Sequence, residues 1–413
     1  MWLLNTTTLK LEECIGSAIP QYAILSHTWG PDSEEVSFKD IRKDFEGSKK
    51  KKGFRKIEKC CEKAKSDKYN WAWIDTCCID RRSSAQLTEA MNSMFAWYKR
   101  AGICYAYLED FPAGSCGADG SGEIFDTLSK CRWFTRGWTL QELIAPSKVQ
   151  FFAEDWSYIG SKNGSHHEIK LMAALEKITG VRLKFLQHSS RALGCSVAER
   201  MSWASSRKTT REEDWAYSLM GLFDVNMPII YGEGLEKAFK RLQLEIIQKS
   251  PDQSIFAWKA QSEGEGGLLA SSPRDFENCT FVVGSSFISA SSGFHPFSMT
   301  NIGLHIRFHL TEEMDVDYGT VCVASLTCWT PKKPDEPRQR VQLYLKRLEK
   351  TKVGSKSNLF QRVHCHNLKF ARMDKYVGEP EDIYVLDNVQ AYLLEDTGAF
   401  VPFRGRRLSS PGR

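Results

Sequence analysis

Three short stretches place polar, reactive side chains directly after apolar runs. Ser26-His27-Thr28-Trp29 follows Tyr22-Ala23-Ile24-Leu25. Asp75 and Asp80 bracket the end of Trp71-Ala72-Trp73-Ile74, and Glu109-Asp110 closes Ile103-Cys104-Tyr105-Ala106-Tyr107-Leu108. A hydroxyl, an imidazole, carboxylates and an indole are the groups that hold a polar ligand with a ring to stack on. In open parallel sheets ligands bind beyond the carboxyl ends of the strands, which is where these residues fall. Each type also has a structural use: His27 as a satisfied core histidine, Asp75 and Asp80 as helix caps, Glu109-Asp110 as a solvated strand end. Other chemistries lack their signatures. There is no GxSxG elbow, no glycine-rich dinucleotide fingerprint and no GxxxxGK[ST] phosphate loop. His166-His167 and His364-Cys365-His366 are tight clusters without a partner pair at zinc spacing, and no CxxC occurs, so no metal centre is expected.

The elements that must position these groups are legible from periodicity. Tyr22 to Ser26 reads as a strand stopped by Trp29-Gly30-Pro31. Phe54, Ile57, Cys61 and Ala64 mark one face of a helix. Trp71 to Ile79 is an almost unbroken apolar run, which predicts a strand buried on both faces. Ser83 with Gln86 predicts a capping box, followed by a helix with Leu87, Met91, Met94, Phe95 and Tyr98 inward. Ile103–Leu108 and Val149–Phe152 read as strands, and Arg132 to Leu143 as one aromatic-rich helix. A Gly/Ser-rich loop covers 113–122. Alternating strands and helices predict βαβ units and a doubly wound, mostly parallel sheet over residues 1–160. Residues 161–252 read as helical, with capping boxes at Ser196/Glu199 and Thr210/Glu213 and an inward face of Leu235, Ala238, Phe239, Leu242 and Ile246. Residues 253–403 change to short alternating runs, among them Ile255–Trp258, Phe281–Val283, Leu304–Phe308, Val321–Leu326, Val341–Leu345 and Ala391–Leu394. These predict an all-β module, a sandwich. Residues 404–413 read as a frayed basic tail.

Composition narrows the function classes. A chain of 413 residues exceeds one ordinary core, and its 42% hydrophobic and 26% charged residues are those of a globular protein. A net charge of +5 without a concentrated basic face argues against nucleic-acid binding. The one basic run, Lys49 to Lys52 with Arg55 and Lys56, reads as a solvated loop or as a contact for an anionic ligand or surface. No signal peptide and no membrane-length apolar stretch is seen. The 13 cysteines have no disulfide spacing and suit a reducing compartment, so a cytoplasmic location is expected.

Tyr22–Gly30, Trp73-Ile74-Asp75-Thr76-Cys77-Cys78-Ile79-Asp80 and Arg136-Gly137-Trp138-Thr139-Leu140-Gln141-Glu142-Leu143 together resemble, in order and spacing, the heterokaryon-incompatibility (HET) domain of filamentous fungi. Asp214–Gly221 and Tyr231–Gly234 resemble the region that follows it, so the resemblance extends over about residues 1–260. The nucleotide-driven NACHT and WD-repeat parts of other members are absent from this sequence. The HET core is in turn similar to Toll/interleukin-1-receptor (TIR) domains, which implies a TIR/flavodoxin-like sheet. TIR domains that cleave NAD carry Trp-Cys-x-x-Glu-Leu with a catalytic glutamate. Trp138 and Glu142 keep that spacing, and Thr139 replaces the cysteine. The resemblance implies Glu142 as the catalytic carboxylate, and Trp29 and Trp138 as stacking surfaces. By their chemistry and their place at the strand ends, Arg136 is a candidate phosphate clamp, and Ser26, His27, Asp75 and Asp80 are candidate substrate contacts. NAD would be a substrate; no cofactor is implied. Glu142 paired with Arg136 or Arg132 and Trp138 in the core is the structural alternative. The function implied is a cell-death trigger in non-self recognition, either by degrading NAD or as a non-enzymatic adaptor. Its partners would be like domains or another incompatibility protein.

Overall fold

The computed structural model describes residues 1–115, 124–164, 168–284, 296–330, 338–348, 357–373 and 378–387, with two short strands at 393–394 and 400–401. The tail at 404–413, most of the 113–122 loop, the pair His166-His167 and residues Ala391 and Tyr392 lie outside the described residues. The chain divides into two units, Met1–Ser250 with Ser271–Val283, and Pro251–Ala270 with Gly284–Arg413.

The first unit holds one sheet built from β1 (Trp2–Asn5), β2 (Leu11–Glu13), β3 (Ala23–His27), β4 (Trp71–Trp73), β5 (Ile103–Tyr107), β6 (Val149–Phe152) and β7 (Tyr158–Ser161), in the order β2-β1-β4-β3-β5-β6-β7. The four inner strands β4-β3-β5-β6 are parallel; β1, β2 and β7 add antiparallel edges that the sequence reading did not anticipate. Every residue of β3 and β5 is buried, as central parallel strands require. The strand order reverses between β3 and β5, so their carboxyl ends, at His27 and Tyr107, open a crevice.

The helices between these strands are α1 (Phe38–Lys43), α2 (Phe45–Ser48), α3 (Lys52–Ser66), α4 (Asp75–Cys78), α5 (Ser84–Arg100), α6 (Ile124–Lys130) and α7 (Thr139–Ile144). They cover both faces of the sheet. Tyr105 Oη donates to Asp67 Oδ2 at the end of α3 (2.7 Å), whereas its neighbour Cys104 points the other way, with Sγ 3.9 Å from the Glu142 carbonyl of α7. Alternation along β5 makes these opposite faces.

Two expected elements are broken up. The Trp71–Ile79 run is not one strand: β4 ends at Trp73 and the chain turns into the short buried helix α4. An apolar run cannot by itself distinguish a buried strand from a buried helical turn. The expected helix at Arg132–Leu143 is a 3-10 turn (Arg132–Thr135), an extended Arg136 and then α7. Arg136 pairs with Lys208 as an isolated parallel bridge, and Gly137 N donates to Lys208 O at 2.8 Å. A Cβ on Gly137 would meet Thr209 Cγ2 at 2.6 Å, so any larger residue there would have to displace the Thr209 side chain.

The rest of the unit is α8 (Ile169–Thr179), α9 (Leu183–Leu186), α10 (Ser189–Ala192), α11 (Val197–Ser202), α12 (Asp214–Tyr217) and α13 (Leu235–Lys249), whose buried residues include Ala238, Phe239, Leu242 and Ile246. Ser83 and Ser196 accept from the backbone N–H groups of Gln86 and Glu199, which is half of each expected capping box; the return bonds do not form, since Gln86 Oε1 is left without a partner and the Glu199 carboxylate pairs with Arg182. Thr210 caps nothing of the kind. Helix α12 starts at Asp214, and Glu213 accepts from Gly232 N and Gly234 N (2.7 and 3.2 Å).

The second unit contains β8 (Ser298–Met299), β9 (Leu304–Asp315), β10 (Gly319–Thr330), β11 (Gln339–Arg347), β12 (Leu359–Val363), β13 (Lys369–Arg372), β14 (Glu379–Val385), β15 (Leu393–Leu394) and β16 (Phe400–Val401). Strands β9-β10-β11-β12-β14 pair in sequence around the sheet, and β14 pairs back onto β9. The expected sandwich is therefore a closed ring, which removes the free edges of those strands. Ile255–Trp258 is not a strand: a 3-10 turn occupies Gln253–Phe256, and Phe281–Val283 forms no strand. Inside this unit Arg362 is fully buried. It donates to the carbonyls of Phe256 and Trp258 and lies 3.9 Å from the Trp258 ring centre, so its charge is satisfied by backbone and π density.

Candidate functional site

Glu142 lies on α7, all six of whose residues are buried, and is itself 6% exposed. Ser26, on β3, donates its hydroxyl to Glu142 Oε2 at 2.5 Å and accepts from Trp133 Nε1 at 2.8 Å. Tyr98 of α5 places its hydroxyl 3.0 Å from the Leu25 carbonyl and within reach of the Glu142 side chain, its one proton shared between the two acceptors. Burial, and then the charge on Asp75, push the Glu142 carboxyl up to about 8. The bonds from Ser26 and Tyr98 and the attraction of Arg136 act against that rise. The result is a carboxyl that is neutral near neutral pH, at the carboxyl end of the first parallel strand.

Beside it lies a second cluster. His27 Nε2 is 3.0 Å from Asp75 Oδ1, and Nδ1 is 3.2 Å from the Thr28 carbonyl. Trp29 Nε1 donates to Asp75 Oδ2 at 2.8 Å. The Arg81 guanidinium sits 3.7 Å from the Trp29 ring centre. Burial would raise the Asp75 carboxyl, but the bond and charge of His27, with Arg81 and Trp29, hold it below the usual carboxylate range. The pKa values of two carboxyl groups are thus displaced in opposite directions at the carboxyl ends of β3 and β4. That is the division of labour which acid–base chemistry uses.

The structure brings Ser26, His27, Trp29, Asp75 and Glu142 together, with Arg136 close enough to act on Glu142. It separates the other two candidates. Asp80 makes a two-pronged pair with Arg82 (2.9 and 2.7 Å) and lines a small cleft of about 220 Å³ with Arg81 and Lys39. The Trp138 side chain bonds to Asp214, which also accepts from Tyr231 Oη at 3.1 Å, so this indole braces the helical region. Asp75 begins α4 and makes no side-chain cap bond there, because both of its oxygens go to His27 and Trp29.

Residues that sequence reasoning gave no role complete the site. Trp133, not Trp138, supplies the indole beside the carboxyl. Tyr98 read as an ordinary core residue of α5. Arg207, 3% exposed, donates to the Arg136 carbonyl (2.7 Å) and to Thr139 Oγ1 (2.9 Å). Burial lowers its guanidinium to about 10, while Glu142 pulls it back up. Thr139 donates to the Trp133 and Arg136 carbonyls and so closes the turn into α7. Lys162, fully buried, caps the far end of α7 by donating to the carbonyls of Leu143, Ile144 and Pro146.

A larger cleft of about 890 Å³ opens beside the same strand ends. It is lined by Thr28, Glu109, Asp110 and the Lys49–Lys52 run, with Trp156 stacked 5.0 Å from Tyr107. None of Ser26, Glu142, His27 and Asp75 lines it. Several cations of the run are already matched: Lys49 by Glu46, Lys51 by Asp40 and Lys56 by Glu35.

Comparison with known proteins gives two family matches. Residues 22–121 match the heterokaryon incompatibility protein (HET) family, and residues 237–286 match a domain of unknown function, DUF8212. Among curated proteins, vegetative incompatibility protein HET-E-1 of Podospora anserina is 50% identical over 228 residues, which is 55% of this chain. The aligned part is 16% of that relative's own length. No solved structure matches.

Proposed function

We propose that this chain, which carries a HET domain at residues 22–121, is an incompatibility protein whose TIR-like core triggers cell death on non-self recognition by hydrolysing NAD. The relative HET-E-1 is named for vegetative incompatibility and supports the biological part of this reading. The parallel strands run in the order second, first, third, fourth, the flavodoxin-type order, which supports a TIR/flavodoxin-like core. The observation that carries the chemistry is the pairing of Glu142 with Ser26 beside the His27–Asp75 cluster.

Hydrolysis breaks the bond between the nicotinamide nitrogen and ribose C1′. The electron pair leaves with nicotinamide, a water oxygen bonds to C1′, and the water's proton passes to solvent. Positive charge builds on the ribose as the bond stretches, and a carboxylate beside it stabilises that charge, as in glycoside hydrolysis. Glu142 takes that role when ionised. Asp75, held ionised by His27 and Trp29, adds negative charge, and Trp29 offers a ring face. Ser26 orients the Glu142 carboxyl. Because Glu142 is 6% exposed, substrate entry requires α7 or the Arg132–Thr135 turn to move.

That same burial favours a second reading, a non-enzymatic adaptor in which Glu142 is a structural acid and like domains, or another incompatibility protein, assemble on the surface. NAD loss with purified protein at high concentration separates the two. The enzyme reading expects loss with wild type and at least about a hundredfold less with Glu142→Gln, the scale of removing one transition-state group. Equal behaviour of the two folded proteins would move the function to the adaptor.

A further inference from the structure

We propose that His364, His366 and Glu263 bind one divalent transition-metal ion in the second unit, with Asp315 orienting the His364 ring. His364 and His366 follow β12, and each group of the trio offers one ligand atom within 4.8 Å of the others. Tetrahedral zinc with bonds of about 2.0–2.1 Å sets its ligand atoms roughly 3.3–3.5 Å apart. The His366 Nε2 to Glu263 Oε1 distance of 3.9 Å is within side-chain adjustment of that spacing.

The surroundings match what metal sites carry. His364 Nε2 is 2.9 Å from Asp315 Oδ2, which leaves Nδ1 for the ion. Asp315 is itself fixed, its Oδ1 accepting from Asp317 N and Tyr318 N at 3.0 Å each. A carboxylate on the second nitrogen of a ligating histidine is the usual outer shell of a zinc site. His366 Nδ1 is enclosed and has no hydrogen-bond partner, which leaves Nε2, the nitrogen that faces Glu263, as the accessible donor to an ion. Imidazole nitrogens select zinc, nickel or copper over magnesium or calcium, and three protein ligands leave a position for water or a fourth group. Cys365 is not a ligand here: it is buried and its thiol faces the Arg362 carbonyl at 3.7 Å.

The test is Zn2+ titration of the chelator-treated full chain by calorimetry, with Co2+ absorption reporting the coordination. Wild type binds one equivalent that His364→Ala and His366→Ala each lose, with far-UV circular dichroism unchanged. Asp315→Asn weakens Kd about 10–100-fold, the cost of removing an outer-shell carboxylate. Glu263→Gln, on an exposed side chain, raises Kd and changes the Co2+ spectrum. His309→Ala, whose ring faces Gly378 O, leaves binding unchanged. Absence of Zn2+ and Co2+ binding by wild type overturns the proposal. So does an unchanged Kd in both Asp315→Asn and Glu263→Gln, whatever the histidine variants do.

Discussion

Glu142 is the residue whose ionisation the fold works against. Its carboxyl is raised from 4.5 to about 8, chiefly by burial. Between those values the folded chain keeps a proton that the unfolded chain has released, so stability falls as pH rises through that window. The slope is at most about 1.4 kcal/mol per pH unit; below the lower value both states are protonated and the contribution is complete. Glu142→Gln removes the term. Urea midpoints measured from about pH 5 to about pH 8 therefore decline in wild type relative to the Gln variant. Parallel curves would mean that the carboxyl is ionised inside the fold. The same titration governs the proposed hydrolysis, since only the ionised form stabilises ribose charge. NAD loss is expected to increase toward pH 8, with the opposite slope to stability, and a rate that is flat or falling there removes Glu142 as the charge-stabilising group.

At the scale of elements, α7 is short, wholly buried and tied at both ends by long-range cations. Arg207 holds the turn that enters it and Lys162 the carbonyls that leave it. Burial lowers the Lys162 ammonium to about 7, yet three carbonyls remain within its reach. Lys162→Met leaves those acceptors bare and is expected to cost about 1–3 kcal/mol in urea denaturation. An unchanged midpoint would show that water replaces the ammonium. A similar pin fixes the start of α3, where Lys56 meets Glu35 at 2.5 Å with both side chains largely buried. Lys56→Met strands the Glu35 charge and is expected to cost about 3–5 kcal/mol, while adding Glu35→Leu recovers most of it. If the double variant is as unstable as the single one, the attachment of Lys56 to the Thr28 carbonyl is what matters.

At the scale of the molecule, the chain passes from the first unit to the second, returns, and leaves again. Residues 271–283 belong with Met1–Ser250. Phe276 is fully buried, Ser196 Oγ donates to the Val282 carbonyl at 2.5 Å, and Arg274 lies 5.0 Å from the Trp215 ring centre. A fragment ending at 250 therefore lacks part of its own core. Compared with a fragment ending at 283, it is expected to melt at least about 5 °C lower, since each kcal/mol shifts a domain of this size by about 2–4 °C. Equal melting temperatures would show that 271–283 contributes nothing to the first unit. No described helix is long and apolar enough to cross a membrane.

The sequence by itself determined what local repetition encodes. The parallel strands at Ala23–His27, Ile103–Tyr107 and Val149–Phe152 follow from short continuous apolar runs closed by polar residues or breakers, and the faces of α3, α5 and α13 from the 3.6-residue period of the helix. The three motifs that resemble the HET domain are equally local. What the tertiary structure decided is which distant groups meet. Arg136 turns extended to pair with Lys208, so the helical phase between Trp133 and Glu142 is lost. Trp133 then reaches Ser26 while Trp138 turns to Asp214. The same holds for the ring closed by β14 on β9, and for Asp315 on His364, 49 positions apart. Such contacts arise from packing, and no periodicity along the chain records which side chains packing will bring together.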